Sequence, residues 1–276
     1  MRVDAQSCRR AAGILLVCAG LWLPGPGAQA GFIAMDTQAE VEVRDGQIVL
    51  RVTTTNRGDE AAFQVTLEAL HPESPKSSET FERLEVGESA EHTFEWEAAG
   101  AAHRRRVIPI LTHYADANYY PLSALWQAVV TFGEPPVTTL SARIDPVAVD
   151  PKGVLRVRLR SLDDASHRVG LRVVTPAELG ARPSTAEVDV PASDEVPIEF
   201  ELENFAGLPG STYGVTVILR EERPGGIVES MVPTHVKLEE PAPPPRARGW
   251  IVAAVAAAAL VLAGWQLGAF RRLRRG

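Results

Sequence analysis

Between Thr112 and Trp126 the chain reads THYADANYYPLSALW, which holds three of its four tyrosines close to His113, Asp116 and Asn118. Residues of these types suit two kinds of contact. Asp116 and Asn118 supply oxygens to a hard cation, and tyrosine rings stack on a sugar or a partner's side chain. Calcium takes six or more oxygens and only two are evident, which leaves the rings as the stronger feature. The stretch also has the residues of a turn, because Asp and Asn side chains bond their own backbone and Pro121 suits the start of a strand. Tyr114, Asp116, Asn118, Tyr119 and Tyr120 are thus the candidate partner-binding residues, on what should be a hairpin loop.

Elsewhere the residue types argue against catalysis. The six histidines (His71, His92, His103, His113, His167 and His235) show no metal-ligand spacing. No Gly-x-Ser-x-Gly elbow or phosphate loop occurs. Asp163-Asp164 and Glu221-Glu222 stand beside turn residues and read as solvated loop ends. Glycosidase chemistry needs two carboxylates fixed across a cleft, and nothing in the pattern builds one. The reading assigns no catalytic residue, metal or cofactor. Residues 31–248 hold 34 acidic against 21 basic residues, an excess of 13 negative charges that disfavours nucleic acid. The one basic cluster, Arg104-Arg105-Arg106, opens a strand and reads as a solvated edge.

The elements that must position the loop lie between two terminal signals. Arg2, Arg9 and Arg10, an apolar run from Ala11 to Leu23 and then Ala28-Gln29-Ala30 have the order of a secretory signal peptide over residues 1–30. Both cysteines, Cys8 and Cys18, fall inside it, so an exported chain would fold without disulfides. Near the other end, WIVAAVAAAALVLAGWQLGAF (250–270) is uncharged and about the ~20 residues a spanning helix needs. Four arginines in the tail 271–276 orient that tail to the cytoplasm and the bulk of the chain outside it, in the periplasm or on the cell surface. Gly264 and Gly268 form a small-residue face that suits helix packing and a homodimer within the membrane. Residues 239–249, rich in proline, read as a stiff stalk.

The middle of the chain alternates in the manner of strands. On either side of Asp45-Gly46, and again after Asn56-Arg57-Gly58-Asp59, apolar residues recur every second position. Val41, Val43, Ile48, Leu50, Val52, Phe63, Val65 and Leu67 should share the core face of their strands. Pro109 belongs at an edge or a bulge, since it cannot donate to a ladder. Seven strands in about a hundred residues is the pattern of a β-sandwich. The pattern then recurs: Leu50-Arg51-Val52 corresponds to Leu155-Arg156-Val157, Phe94 to Phe200, and Ile108 and Ile110 to Val215 and Val217. The expected fold is all-β, with two tandem immunoglobulin-like β-sandwiches (31–134 and 135–238) followed by one C-terminal transmembrane helix.

TNRGDEAAFQVTL, LEVGESAEHTFEW and YADANYYPLSA together resemble the CARDB type of immunoglobulin-like domain, an adhesion-related module of bacterial and archaeal surface proteins. The resemblance covers Ala39 to Phe132, and extends over Val137 to Leu238 in strand pattern alone. It implies a non-enzymatic module that binds a protein or a cell-envelope glycan. Two other readings keep the same architecture. In one the C-terminus is a processed envelope-sorting signal, although no LPxTG is present. In the other the chain is an accessory subunit of a membrane complex.

Overall fold

The computed structural model describes residues 31–98 and 103–240, and every element in them is a strand. No helix among the described residues is long and apolar enough to cross a membrane. The signal-like segment, the span 250–270 with Gly264 and Gly268, the basic tail and most of the stalk lie outside the described residues. The chain divides into two compact units, residues 1–136 with 223–229, and 137–222 with 230–276.

In the first unit β1 (Met35–Arg44), β2 (Gln47–Asn56) and β6 (Ser89–Glu97) form one sheet. Asp45 and Gly46, both at positive φ, make the tight β1–β2 turn that their types favour. Facing this sheet are β3 (Ala62–Ala69), β4 (Lys76–Ser77), β5 (Phe81–Leu84), β7 (His103–Ala115) and β8 (Pro121–Thr131). Ile48, Leu50 and Val52 of β2 pack with Phe94 and Trp96 of β6 against Leu67, Ile108, Ile110 and Val130. Each side chain of this size contributes about 1.5–3 kcal/mol when fully buried, and no disulfide is needed to hold the layers. A row of hydroxyls crosses between them: Thr37 Oγ1 of β1 lies 3.1 Å from Thr54 Oγ1 of β2 and 3.1 Å from Thr112 Oγ1 of β7, all three buried.

The second unit has its own two sheets and core. β9 (Leu140–Ile144), β11 (Lys152–Ser161), β13 (Leu179–Arg182) and β15 (Glu195–Asn204) form one. The other contains β12 (His167–Val174), β14 (Thr185–Val190), β16 (Thr212–Arg223) and β17 (Gly226–Leu238), with β10 (Val147–Val149) parallel to β17. Leu155, Val157, Phe200, Leu202, Val215 and Val217 are among its buried residues. The sequence correspondence reappears as register. Leu50 stands opposite Phe94 in the β2–β6 ladder, and Leu155 opposite Phe200 in the β11–β15 ladder.

Three expectations about local structure change. Phe63 leaves the core: the β3–β7 register shifts between Phe63 and Thr66, where Gln64 has φ 52°, so Ala62 and Val65 are buried and Phe63 turns outward. Val43, next to the β1–β2 turn, is also exposed. Pro109 is neither at an edge strand nor at a bulge, since β7 has β3 on one side and β8 on the other. Its carbonyl accepts from Leu70 N at 2.8 Å, one residue beyond the end of β3, so its missing N–H falls where that ladder stops.

Candidate functional site

The loop between β7 and β8 is a turn organised by one carboxylate. Asp116 Oδ1 accepts from the N–H of Asn118 and of Tyr120, each at 2.8 Å, and Tyr119 N–H donates to Asp116 O at 2.9 Å. The Tyr120 amide, with that of Asn118, holds the Asp116 carboxyl below its ordinary value. An oxygen engaged by two amides offers little to a cation, and no group of three His, Cys, Asp or Glu that could hold a metal occurs among the described residues. The left-handed residue of the turn is Tyr119 (φ 60°) and not Asp116 or Asn118.

That conformation lifts the Tyr119 ring outward. It is 66% exposed, and its centroid lies 6.2 Å from the Phe63 ring at an interplanar angle of 45°. The Arg83 guanidinium covers Phe63 at 5.4 Å. The result is a surface row of Tyr119, Phe63 and Arg83, drawn from the β7–β8 loop, the β3 bulge and β5. The five candidates separate accordingly. Tyr119 and Asn118 are exposed, Asp116 and Tyr120 are half-buried, and Tyr114 packs against the small cluster of Ala62, Val65, Leu84 and Ala90. Phe63 and Arg83 were not among them. Strict alternation assigns Phe63 to the core, and only the bulge reverses it.

Two buried polar clusters also depart from the sequence reading. Arg106, expected on a solvated edge, is only 4% exposed. Its Nη1 lies 2.6 Å from His71 Nε2 and its Nη2 donates to Glu73 at 3.2 Å, while the His71 ring stacks on Trp96 at 5.1 Å. A guanidinium only donates, so His71 Nε2 accepts. Beside them is an open hollow of about 470 Å³ lined by Glu73, Ser74, Lys76 and Trp96, among others. In the second unit Asp163, expected to be a solvated loop acid, is a hub. It accepts from His167 Nε2 at 2.6 Å, Thr139 Oγ1 at 2.7 Å, Ser161 Oγ at 3.0 Å and Ala165 N at 3.2 Å. The His167 contact first, then that from Thr139, holds its carboxyl well below the usual range. Glu221, from the other acid pair, is buried, with Oε1 3.3 Å from His167 Nδ1. In each cluster the charged groups are engaged with structural partners, which suits holding strands in place.

No protein-family model matches the chain, and no curated protein matches it. Among solved structures it is similar to red sea bream transglutaminase (12% identity, TM-score 0.28), covering 78% of this chain and 32% of that one. It is similar also to the native conformation of E. coli alpha-2-macroglobulin (7%, TM-score 0.33; 75% and 17%). A third is a protein of unknown function from Porphyromonas gingivalis W83 (13%, TM-score 0.33; 74% and 99%). The chain spans about a third or less of the first two. At these scores the likenesses say nothing of activity.

Proposed function

We propose that this is a non-enzymatic, membrane-anchored extracytoplasmic protein that presents two immunoglobulin-like sandwiches and binds a protein or envelope-glycan partner at the β7–β8 end of the first. The observation that carries the reading is the exposed Tyr119–Phe63–Arg83 row. It gives an apolar, stackable surface with a cation at one end, and such surfaces suit sugar rings and partner side chains. The repeated Leu–Phe register supports a duplicated domain, and the order of strands in the first unit supports an immunoglobulin-like arrangement. The anchor rests on the uncharged span and the arginine tail.

A photo-crosslinking residue at exposed Asn118, in the full chain in its own membrane, tests this. The expected product is an adduct with a protein or glycan that weakens about tenfold, a ~1.4 kcal/mol step, when Tyr119→Ala is added. An undiminished adduct would overturn the site, and substrate turnover in a broad hydrolase screen would overturn the non-enzymatic reading.

A further inference from the structure

The connection between β3 and β4, residues 70–75, is fastened to the end of the first unit by side chains. His71 Nε2 accepts from Arg106 Nη1 of β7 at 2.6 Å, and Glu73 accepts from Arg106 Nη2 at 3.2 Å. Ser74 O accepts from Trp96 Nε1 of β6 at 2.8 Å, and the His71 ring lies nearly flat on the Trp96 indole, 18° from parallel. The strand that follows, β4, has two residues and pairs with β3 alone among the described residues. Little backbone pairing therefore holds residues 70–77, and such segments open at a lower cost than core strands do.

One of these fastenings depends on a proton. A neutral imidazole accepts at one nitrogen, and with Nε2 accepting from Arg106 its own proton sits on Nδ1. A further proton has only Nε2 to go to. There it turns the acceptor into a donor and sets an imidazolium against a guanidinium where neither meets water, since His71 is 3% and Arg106 4% exposed. The charged groups around the ring do not offset that repulsion. Glu73, on the same connection, is engaged with Arg106, and its side chain is 54% exposed. Lys76 of β4 adds another cation, 5.6 Å over the Trp96 ring. Glu95 and Glu97 of β6 also line the adjoining hollow but are exposed, so water screens them, and Gln47 of β2 is neutral.

We propose that His71 is an acid-sensitive latch: on taking up a proton it leaves Arg106 and releases residues 70–77 as a strap, which uncovers Trp96 and opens the hollow beside it. The sign follows from proton counting. Released, the imidazole takes a proton near its ordinary value of ~6.5, whereas closed it must stay neutral to accept from Arg106. The released form thus binds more protons, so the closed form is fully favoured above about pH 6.5 and loses ground below it. The loss is up to about tenfold in the opening equilibrium for each pH unit.

Hydrogen–deuterium exchange of the full chain in mild detergent, read on peptides covering 70–77 and corrected for the intrinsic effect of pH on exchange, tests the latch. From about pH 7.5 to about pH 5.5 the protection of this segment should fall about tenfold, while that of β11 in the second unit stays constant. His71→Gln keeps an acceptor for Arg106 without a proton to gain, and should stay protected at both values. Arg106→Gln removes the opposing cation and should shrink the fall severalfold from a lower starting protection. Unchanged protection in the parent chain overturns the proposal whatever the variants do. So does an equal fall in His71→Gln, which assigns the acid response to another group, or an equal fall in β11, which marks general unfolding.

Discussion

In the first unit the opening strand stays with one sheet for ten residues, whereas in the second the equivalent strand breaks at Asp145-Pro146 and finishes on the other. The same contrast holds at the loops. The β7–β8 turn raises an aromatic ring into solvent, and the β16–β17 turn, around Pro224-Gly225, carries no aromatic residue. The shared part is the buried ladder in which Leu50 and Leu155 stand opposite Phe94 and Phe200. The two units thus share a Leu–Phe pair in a buried ladder and differ at their margins.

The largest test of this comparison is in the cores. Phe94→Ala and Phe200→Ala each remove a ring that is at most 1% exposed, and each should cost its own unit about 3–5 kcal/mol in chemical denaturation. Losses that differ by more than about 2 kcal/mol would break the claim that the two ladders are equivalent. Next in size, Arg106→Met should cost the first unit about 1–3 kcal/mol, because it removes the buried donor facing His71 Nε2. A neutral outcome would mean that the guanidinium is dispensable there.

The smallest of these effects is one of strong acid, in the second unit alone. A carboxyl held below its ordinary value binds a proton less readily folded than unfolded. The stability that Asp163 adds is therefore complete above the unfolded value near ~4 and is lost as pH falls through the folded value. Asp163→Asn should lower the urea midpoint at pH 7 and flatten its decline below about pH 4. The same acid limb in variant and parent would show that Asp163 is not the group responsible.

Much of this was legible in the sequence because alternation reports which face of a strand is buried. Asp45-Gly46 marked a turn, Leu-Arg-Val marked both core strands, and Asp116 with Pro121 marked the hairpin. What alternation does not carry is a change of phase or a partner distant in sequence. Phe63 was misplaced because one extra residue at Gln64 inverts the face without altering composition. Arg106 and Glu221 were misplaced because a charge becomes buried only when folding brings donors or acceptors to it: His71 is 35 residues from Arg106, and Thr138, which donates to Glu221, is 83 residues away. The aromatic row needed both kinds of information, the bulge and the meeting of three separate segments, so only Tyr119 of its members was named in advance.

The buried hydroxyls of Thr37, Thr54 and Thr112 have a consequence for assembly. A ladder slipped by one residue would bring Asp36 or Gln38 of β1 to the place Thr37 occupies, and would turn a carboxylate or an amide toward a layer that otherwise admits small hydroxyls and hydrocarbon. The three threonines thus serve as a proofreading mark: they accept one alignment of β1 and penalise its neighbours once the two layers meet.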